Sequence, residues 1–189
     1  MYKGSFLFAM IFVQMEHPEE LLDIFDANER LTGTVMRSTY YRDPALHPGY
    51  LRSTELFIRN DKGQLWIPRR SADRKIKPNA LDYSCGGHVS SGEDYITGCI
   101  REAEEELNLH LKPEDLTLLF KTNATDKSPW FRSVFLYNSN EAPDYNTEDF
   151  SEYYWLTPEE LIARIEAGEP AKESMLATLH ATLPKLTLL

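Results

Sequence analysis

Three glutamates in one predicted helix, Glu102, Glu105 and Glu106, are the residues of this chain best suited to chemistry. Side chains three and four positions apart are neighbours on a helix surface, so these three share one face. Like charges in that arrangement repel, at a cost of about 0.2–0.5 kcal/mol for each pair. Carboxylate oxygens are also the ligands that hard divalent cations prefer. The pattern therefore has two interpretations, a solvated acidic face and a site that holds a cation.

The helix that carries these glutamates has recognisable ends and a recognisable buried side. Gly86, Gly87 and Gly92 mark a loop before it, and the helix is predicted to begin at Glu93 or Asp94. At about 100° per residue, small and apolar side chains fall on one arc, away from the glutamates. These side chains are Ile96, Cys99, Ile100, Ala103 and Leu107. We expect this arc to pack on the core and the helix to end near Leu107.

Several other elements must position that helix. Two short strands around a turn at Asp26–Asn28 are predicted in residues 21–37, and a hairpin turning at Asn60–Gly63 in residues 53–70. Two more strands are predicted in residues 116–123 and 130–138. Helices are predicted over 157–168, where Thr157 and Glu160 form a capping box, and over 172–186. Strands and helices mix without regular βαβ alternation, so the fold class is α+β or an α/β/α sandwich.

Composition restricts the partners. The chain has 189 residues and a formal net charge of −10, which suits one domain and disfavours general binding to nucleic acid or to anionic membranes. Two cysteines, Cys85 and Cys99, are too few for a disulfide scaffold, so we predict two buried thiols in a reducing cytoplasm.

The N-terminus leaves two interpretations open. Residues 6–13 are apolar but far shorter than the roughly 20 residues of a membrane-spanning helix. Residues 1–14 are either an apolar extension or precede a true start at Met15. In both cases residues 15–189 are predicted to form a single domain.

The intervals around the glutamates match a known pattern. They read Gly87, five residues, Glu93, seven residues, then Arg101-Glu102-Ala103-x-Glu105-Glu106-x-Asn108-Leu109. This resembles the Nudix box, G-x5-E-x7-R-E-U-x-E-E-x-G-U, where U is apolar. Asn108 departs from the usual glycine, but asparagine also tolerates the left-handed conformation of a helix C-cap. The resemblance implies a Nudix-type α/β/α sandwich with a mixed β-sheet.

The resemblance also implies roles for particular residues. Metal ligands would be Glu102, Glu105, Glu106 and the backbone carbonyl of Gly86, with Mg²⁺ as the ion and Mn²⁺ as an alternative. Glu93 and Arg101 would steady the loop and the helix. The candidate catalytic residues are Glu102, Glu105, Arg101 and Glu152. Nudix enzymes often take a further carboxylate from a later loop, and Glu152 and Asp149 are the candidates for it.

The wider sequence is similar to the Nudix branch that contains isopentenyl diphosphate isomerase. Arg69-Arg70, Arg74 and Pro78 match its pattern, and Arg70 and Arg74 are predicted to bind a diphosphate. We expect Arg70→Ala to weaken substrate use without unfolding the domain. Two departures argue against isomerase activity. Gly86 stands where the isomerase has its cysteine, and residues 127–135 contain no carboxylate in place of its Glu-x-Glu pair.

These considerations predict a metal-dependent hydrolase that cleaves the diphosphate bond of a small molecule, with a nucleoside di- or triphosphate as the leading substrate class. Aromatic residues such as Tyr41, Tyr83 and Phe131 could stack on a nucleobase, although most are expected in the core. The alternatives are an isopentenyl diphosphate isomerase and a non-catalytic module that senses a nucleotide.

Overall fold

A mixed β-sheet between two layers of helices forms the frame of the protein. The computed structural model describes residues 19–43, 46, 49–125 and 128–186. The predicted extension, residues 1–14, lies outside these ranges. The strands and helices are β1 (Leu21–Phe25), β2 (Leu31–Met36), α1 (Arg37–Arg42), β3 (Leu51–Arg59), β4 (Leu65–Arg70), β5 (Cys85–His88), α2 (Tyr95–Leu107), β6 (Thr117–Thr122), β7 (Trp130–Asn138), β8 (Phe150–Leu156), α3 (Pro158–Glu166) and α4 (Met175–Leu186).

The main sheet has its strands in the order β6-β7-β3-β4-β8, and β5 pairs with β3 beside β4. β3 and β7 run parallel, whereas the other pairs in this sheet are antiparallel. β1 and β2 form a separate antiparallel hairpin. None of the described helices is long and apolar enough to cross a membrane.

Alternation along β3 gives the sheet a core on each face. Leu56 and Ile58 point to the same side as Trp66 and pack with α2, whereas Phe57 points to the side of α3 and α4. Helices α3 and α4 contribute four side chains to this second core, namely Leu161, Met175, Leu179 and Leu186. The predicted α/β/α sandwich is therefore confirmed, with α2 alone on one face of the sheet.

Helix α2 matches its predicted ends and its predicted buried arc. The Asp94 side chain accepts a hydrogen bond from the Thr97 amide at 2.8 Å, and Asn108 takes the left-handed conformation at φ 51°. The arc from Ile96 to Leu107 packs on the sheet, and Cys85 and Cys99 are free and buried there. Asn108 thus fills the position of the usual glycine at the helix end.

Besides the short strand β5, two elements were not predicted, namely β8 and α1. β8 covers a stretch that was interpreted as a loop, and its side chains are buried mainly at its two ends, Phe150 and Leu156, so it has no clear alternation of apolar and polar residues. It forms because β4 offers an edge for pairing. Helix α1 has six residues and no side-chain hydrogen bond at its N-cap. Neither element carries a strong local signal.

Candidate active site

A cavity of about 2100 Å³ brings the predicted glutamates together with residues from most of the other elements. Ligand pockets commonly measure about 300–1,000 Å³, so this cavity has room for a nucleotide-sized molecule together with ions. It is lined from β3, β5, α2 and β7, from the segments after β4 and before β8, and from the segment that joins α3 to α4.

One side of the cavity, which we call the acidic wall, is formed by Glu55, Glu102, Glu105 and Glu106. The three helical glutamates were predicted, whereas Glu55 comes from β3 and was not. Glu102 is 9% exposed and Glu55 is buried, while the Glu105 side chain is 56% exposed. The acidic wall therefore combines buried carboxylates with an exposed one.

Two glycines allow the strand β5 to approach the acidic wall closely. A side chain at Gly86 would collide with a carboxylate oxygen of Glu55 and with the Thr54 carbonyl. A side chain at Gly87 would collide with the Glu102 carboxylate. The Gly86 amide donates a hydrogen bond to Glu106 Oε2 at 3.2 Å. The glycine of the box is thus needed to seat Glu102 against the backbone.

The acidic wall carries more negative charge than its surroundings balance. Burial raises the pKa of Glu102 to about 7, although Arg101 opposes the change, and Glu105 adds to it. Burial, followed by repulsion from Glu102, raises the pKa of Glu106 well above its usual range. Glu55 Oε2 is buried and has no hydrogen-bond partner among the residues that the structure describes. A cation placed here would relieve each of these costs.

Arg101 organises the loop and the helix around the acidic wall. Its Nε lies 3.0 Å from Glu93 Oε1, and its Nη2 donates to the His88 carbonyl at 2.8 Å. Its Nη1 lies 2.9 Å from Glu102 Oε1 and 3.2 Å from Glu105 Oε2. Arg101 thus holds two of the carboxylates, and no three Asp, Glu, His or Cys side chains in the described part of the chain are grouped as a metal site.

A second group of charged residues, which we call the basic wall, lines the same cavity. It consists of Arg70, Arg74 and Lys172, which line the cavity, together with their acidic partners, of which Asp149 lines the cavity as well and Asp82 does not. Arg70 Nη1 lies 2.7 Å from Asp82 Oδ2, and Arg74 Nη1 lies 2.6 Å from Asp149 Oδ1. Arg70 and Arg74 were predicted to reach the site, and both line it. Lys172 and Asp82 were missed, because they come from distant segments with no recognisable motif.

Glu152 does not reach the cavity with the other candidates. It lies on β8 opposite Arg69 of β4, and its Oε1 lies 2.6 Å from Arg69 Nε and accepts a hydrogen bond from the Tyr154 hydroxyl at 2.6 Å. Its side chain is 51% exposed. Asp149, the other candidate from this stretch, is buried and lines the cavity. The structure therefore brings Asp149 to the site and leaves Glu152 at the surface.

Three aromatic side chains line the cavity, namely Tyr41, Phe120 and Trp130. The Tyr41 hydroxyl is 2.9 Å from His88 Nε2, and the ring centroids of His88 and Trp130 are 5.2 Å apart. Burial lowers the pKa of His88 to about 3, so this imidazole is neutral. Among the predicted aromatics, Tyr83 and Phe131 are buried in the core, whereas Tyr41 faces the cavity.

Comparisons with known proteins agree with this fold. The NUDIX domain model matches residues 49–179. A Nudix hydrolase of Deinococcus radiodurans is 42% identical over 159 residues, which cover 82% of this chain and 88% of that protein. An isopentenyl-diphosphate Delta-isomerase of Clavibacter sepedonicus is 30% identical over 161 residues and covers 80% of each chain. The crystal structure of DR0079 from Deinococcus radiodurans superposes with a TM-score of 0.77 at 39% identity, covering 86% of this chain and 99% of that one.

The matched domain spans more than half of the chain and includes the glutamates, the glycines and Arg101. The fold class is that of the Nudix proteins, and this chain belongs to the Nudix hydrolase family.

Proposed function

We propose that the protein hydrolyses the diphosphate bond of a nucleoside di- or triphosphate, or of a related nucleoside diphosphate derivative, with the help of a divalent cation. The observation that carries this proposal is the meeting of the acidic wall and the basic wall in one cavity. A polyphosphate needs positive charge to bind. A cation held by the acidic wall would supply part of that charge. The basic wall supplies the rest through side chains.

The acidic wall fits such a cation by its donor set. Glu102, Glu105, Glu106 and the carbonyl of Gly86 offer oxygen ligands, which suit Mg²⁺ and Mn²⁺. Glu55, with an unpartnered buried oxygen, is a further donor. Glu105 is exposed and is held by Arg101 at 3.2 Å, so it can turn toward an ion at little cost. The bound ion would neutralise substrate charge and polarise phosphorus and water.

The protein's own residues then position the reactants. Arg70 and Arg74 bind phosphate oxygens, a task for which the planar guanidinium is well shaped. Glu105 lies in the cavity and accepts a proton from the water that attacks phosphorus. The bond from phosphorus to the bridging oxygen breaks, and the phosphate that leaves carries the bonding electron pair.

The aromatic residues of the cavity favour a nucleoside as the group attached to the diphosphate. Tyr41, Phe120 and Trp130 are partly exposed to the cavity, and each ring can pack against a flat base. A basic wall and an aromatic surface in one cavity match the phosphate and the base of one molecule.

The isomerase alternative deserves a separate test because one relative at 30% identity carries that name. In the present chain, residues 130–138 of β7 contain no carboxylate, and Gly86 stands where the isomerase branch has cysteine. Arg132 from this strand pairs instead with Glu55 at 3.1 Å. These residues do not supply an acid that could protonate an alkene.

A panel assay distinguishes the three functions. The wild-type protein is incubated with Mg²⁺ and with nucleoside di- and triphosphates, nucleotide sugars or isopentenyl diphosphate, and released phosphate and allylic product are both measured. Phosphate or nucleoside monophosphate release from a nucleotide is the expected result. Formation of the allylic isomer would establish the isomerase instead. Calorimetric binding of nucleotides with no turnover of any compound would establish a sensor.

A further inference from the structure

Lys172 is a residue of the basic wall that no sequence motif marks and to which the proposed reaction gives no individual role. It follows α3 in the segment that leads to α4, and backbone contacts fix its position. The Lys172 amide donates to the Leu81 carbonyl at 3.0 Å, and Ala171 forms a parallel bridge with Leu81. This pairing places Lys172 beside Asp82, the next residue of that neighbouring segment.

Asp82 holds two cations with one carboxylate. Its Oδ1 lies 3.1 Å from Lys172 Nζ, and its Oδ2 lies 2.7 Å from Arg70 Nη1. Asp82 is 3% exposed, and its Oδ1 also accepts a hydrogen bond from the Tyr83 amide at 2.8 Å. Two positive charges against one negative charge leave a net charge of +1 at this point of the cavity.

Lys172 remains charged although most of its side chain is buried. Burial by itself lowers the pKa of this lysine, but Asp82, then Glu55 and Glu106, raise it above its usual range. Lys172 therefore lies where the electric fields of the acidic wall and of Asp82 overlap. An ammonium group has three hydrogen-bond donors, and the contact with Asp82 uses one of them.

We propose that Lys172 is a diphosphate-binding residue of this cavity, acting beside Arg70, and that Asp82 is the positioning residue that holds the pair. The proposal rests on the proposed function for its ligand, a diphosphate. Lys172 lines the cavity, carries a charge and has two donor positions with no hydrogen-bond partner among the described residues. The acidic wall next to it is where the proposed cation binds. A diphosphate held by that cation comes within reach of both basic side chains.

A structural role is the competing explanation, in which Lys172 only neutralises the buried Asp82. The test uses methylene diphosphonate, whose P–C–P link resists hydrolysis, with Mg²⁺ in a calorimeter. We expect Lys172→Met to weaken binding about 10- to 100-fold, the loss typical of a charge-assisted hydrogen bond. Lys172→Arg should stay within about fivefold of wild type, since it retains charge and donors.

Lys121→Met is the matched control. Lys121 pairs with Glu29 at 2.9 Å and does not line the cavity, so its loss removes a lysine ion pair and should leave binding unchanged. Lys172→Gln serves where Lys172→Met folds poorly, because its amide can still donate a hydrogen bond to Asp82. A binding role predicts that Lys172→Gln keeps the melting temperature near that of wild type but lowers the affinity, because the amide carries no positive charge. Wild-type affinity of folded Lys172→Gln would overturn the proposal.

Two further results would overturn the proposal, namely unchanged affinity of folded Lys172→Met and wild-type protein that does not bind the diphosphonate with Mg²⁺. Neither result depends on turnover. If the wild type binds the diphosphonate through Lys172 but hydrolyses no compound of the panel, the proposed reaction fails and the binding role of Lys172 stands. If hydrolysis is observed and Lys172→Met matches wild type in both affinity and KM, the proposed reaction stands and the binding role of Lys172 fails.

Discussion

The two walls of the cavity are built in opposite ways. Three of the four glutamates of the acidic wall come from one turn and a half of α2, and two of them, Glu102 and Glu105, pair with Arg101 of the same helix. The basic wall collects residues from three separate segments, and its cations already have acidic partners: Asp82 for Arg70 and Lys172, and Asp149 for Arg74. One wall is short of positive charge, whereas the other is nearly balanced.

This difference explains what each wall does in the proposed reaction. An acidic wall with raised pKa values gains stability from any cation that enters, so it should take up a metal ion before substrate is present. In the basic wall, each cationic side chain already contacts Asp82 or Asp149. A phosphate that binds there must share these side chains with the aspartates. Binding there should therefore depend on the extra charge that the metal provides.

The largest expected effect concerns the acidic wall. Glu105→Gln should lower phosphate release by orders of magnitude, since it removes a proposed metal ligand and proton acceptor together. The fold should survive, because Glu105 is exposed and an amide of equal size replaces it. Initial rates on the best compound of the panel measure the effect, and thermal melting checks the fold.

Glu104→Gln is the matched control for this experiment. Glu104 is adjacent, its side chain is 59% exposed, and it lies outside the cavity. Its loss should change the rate less than about twofold, as is usual for surface substitutions. Equal activity of Glu105→Gln and wild type would reduce the acidic wall to a solvated helix face.

The basic wall should respond through stability as well as activity. Arg70 is buried and paired with a buried aspartate, so Arg70→Met leaves Asp82 with Lys172 alone. Breaking a buried ion pair lowers the free energy of unfolding by about 3–5 kcal/mol. Because Lys172 still pairs with Asp82, we expect a loss near the lower of these two values. The expectation that the domain stays folded without Arg70 is kept, with this loss of stability added to it. Urea unfolding measures the loss.

Arg70→Lys separates the two effects. This variant should regain most of the free energy of unfolding, because an ammonium group restores a positive charge beside Asp82. Its kcat/KM should remain below that of wild type, because an ammonium group lacks the planar, bidentate geometry with which a guanidinium binds phosphate. An Arg70→Lys variant that recovers activity along with stability would show that the guanidinium of Arg70 is not needed to bind phosphate.

A smaller effect should appear when metal is added without substrate. A ligand at 100 times its Kd stabilises a fold by about 2.7 kcal/mol, which corresponds to a rise in Tm of about 5–10 °C for a domain of this size. Millimolar Mg²⁺ or Mn²⁺ should raise the Tm of wild type, and Glu106→Gln should reduce the rise. NaCl at equal ionic strength is the control. A Tm that ignores both ions would contradict a metal site in the acidic wall.

The sequence predicted the acidic wall and much of the fold because their signals are local. The residues that begin, bury and end helix α2 lie in one continuous stretch of sequence, from the N-cap Asp94 to the left-handed Asn108. Lys172, Asp82 and Glu55 could not be found this way, because pairing between distant strands and segments brings them to the cavity. A lone lysine between two helices has no local feature that sets it apart from a surface lysine.

Glu152 shows the same limit of sequence-based prediction, because it is a predicted site residue that does not reach the cavity. As part of a loop, Glu152 could supply a further carboxylate to the active site. In the structure, strand pairing fixes the direction in which each side chain of β8 points. Directly opposed residues of an antiparallel pair share a face, and Glu152 lies opposite Arg69. The irregular pairing between Arg69 and Arg70 then leaves Arg70 in the cavity, while Arg69 binds Glu152 outside it.

The smallest expected effect follows from this contrast between two carboxylates three positions apart. Glu152→Gln should leave kcat/KM within about twofold of wild type and should cost about 0–1 kcal/mol, because its ion pair with Arg69 is half exposed. Asp149→Asn should lower kcat/KM clearly, because Asp149 is buried in the cavity and holds Arg74 at 2.6 Å. Both rates are measured on the same compound with saturating Mg²⁺. A large loss from Glu152→Gln with an intact fold would place the general base on β8 after all, and would mean that the strand rearranges when substrate binds.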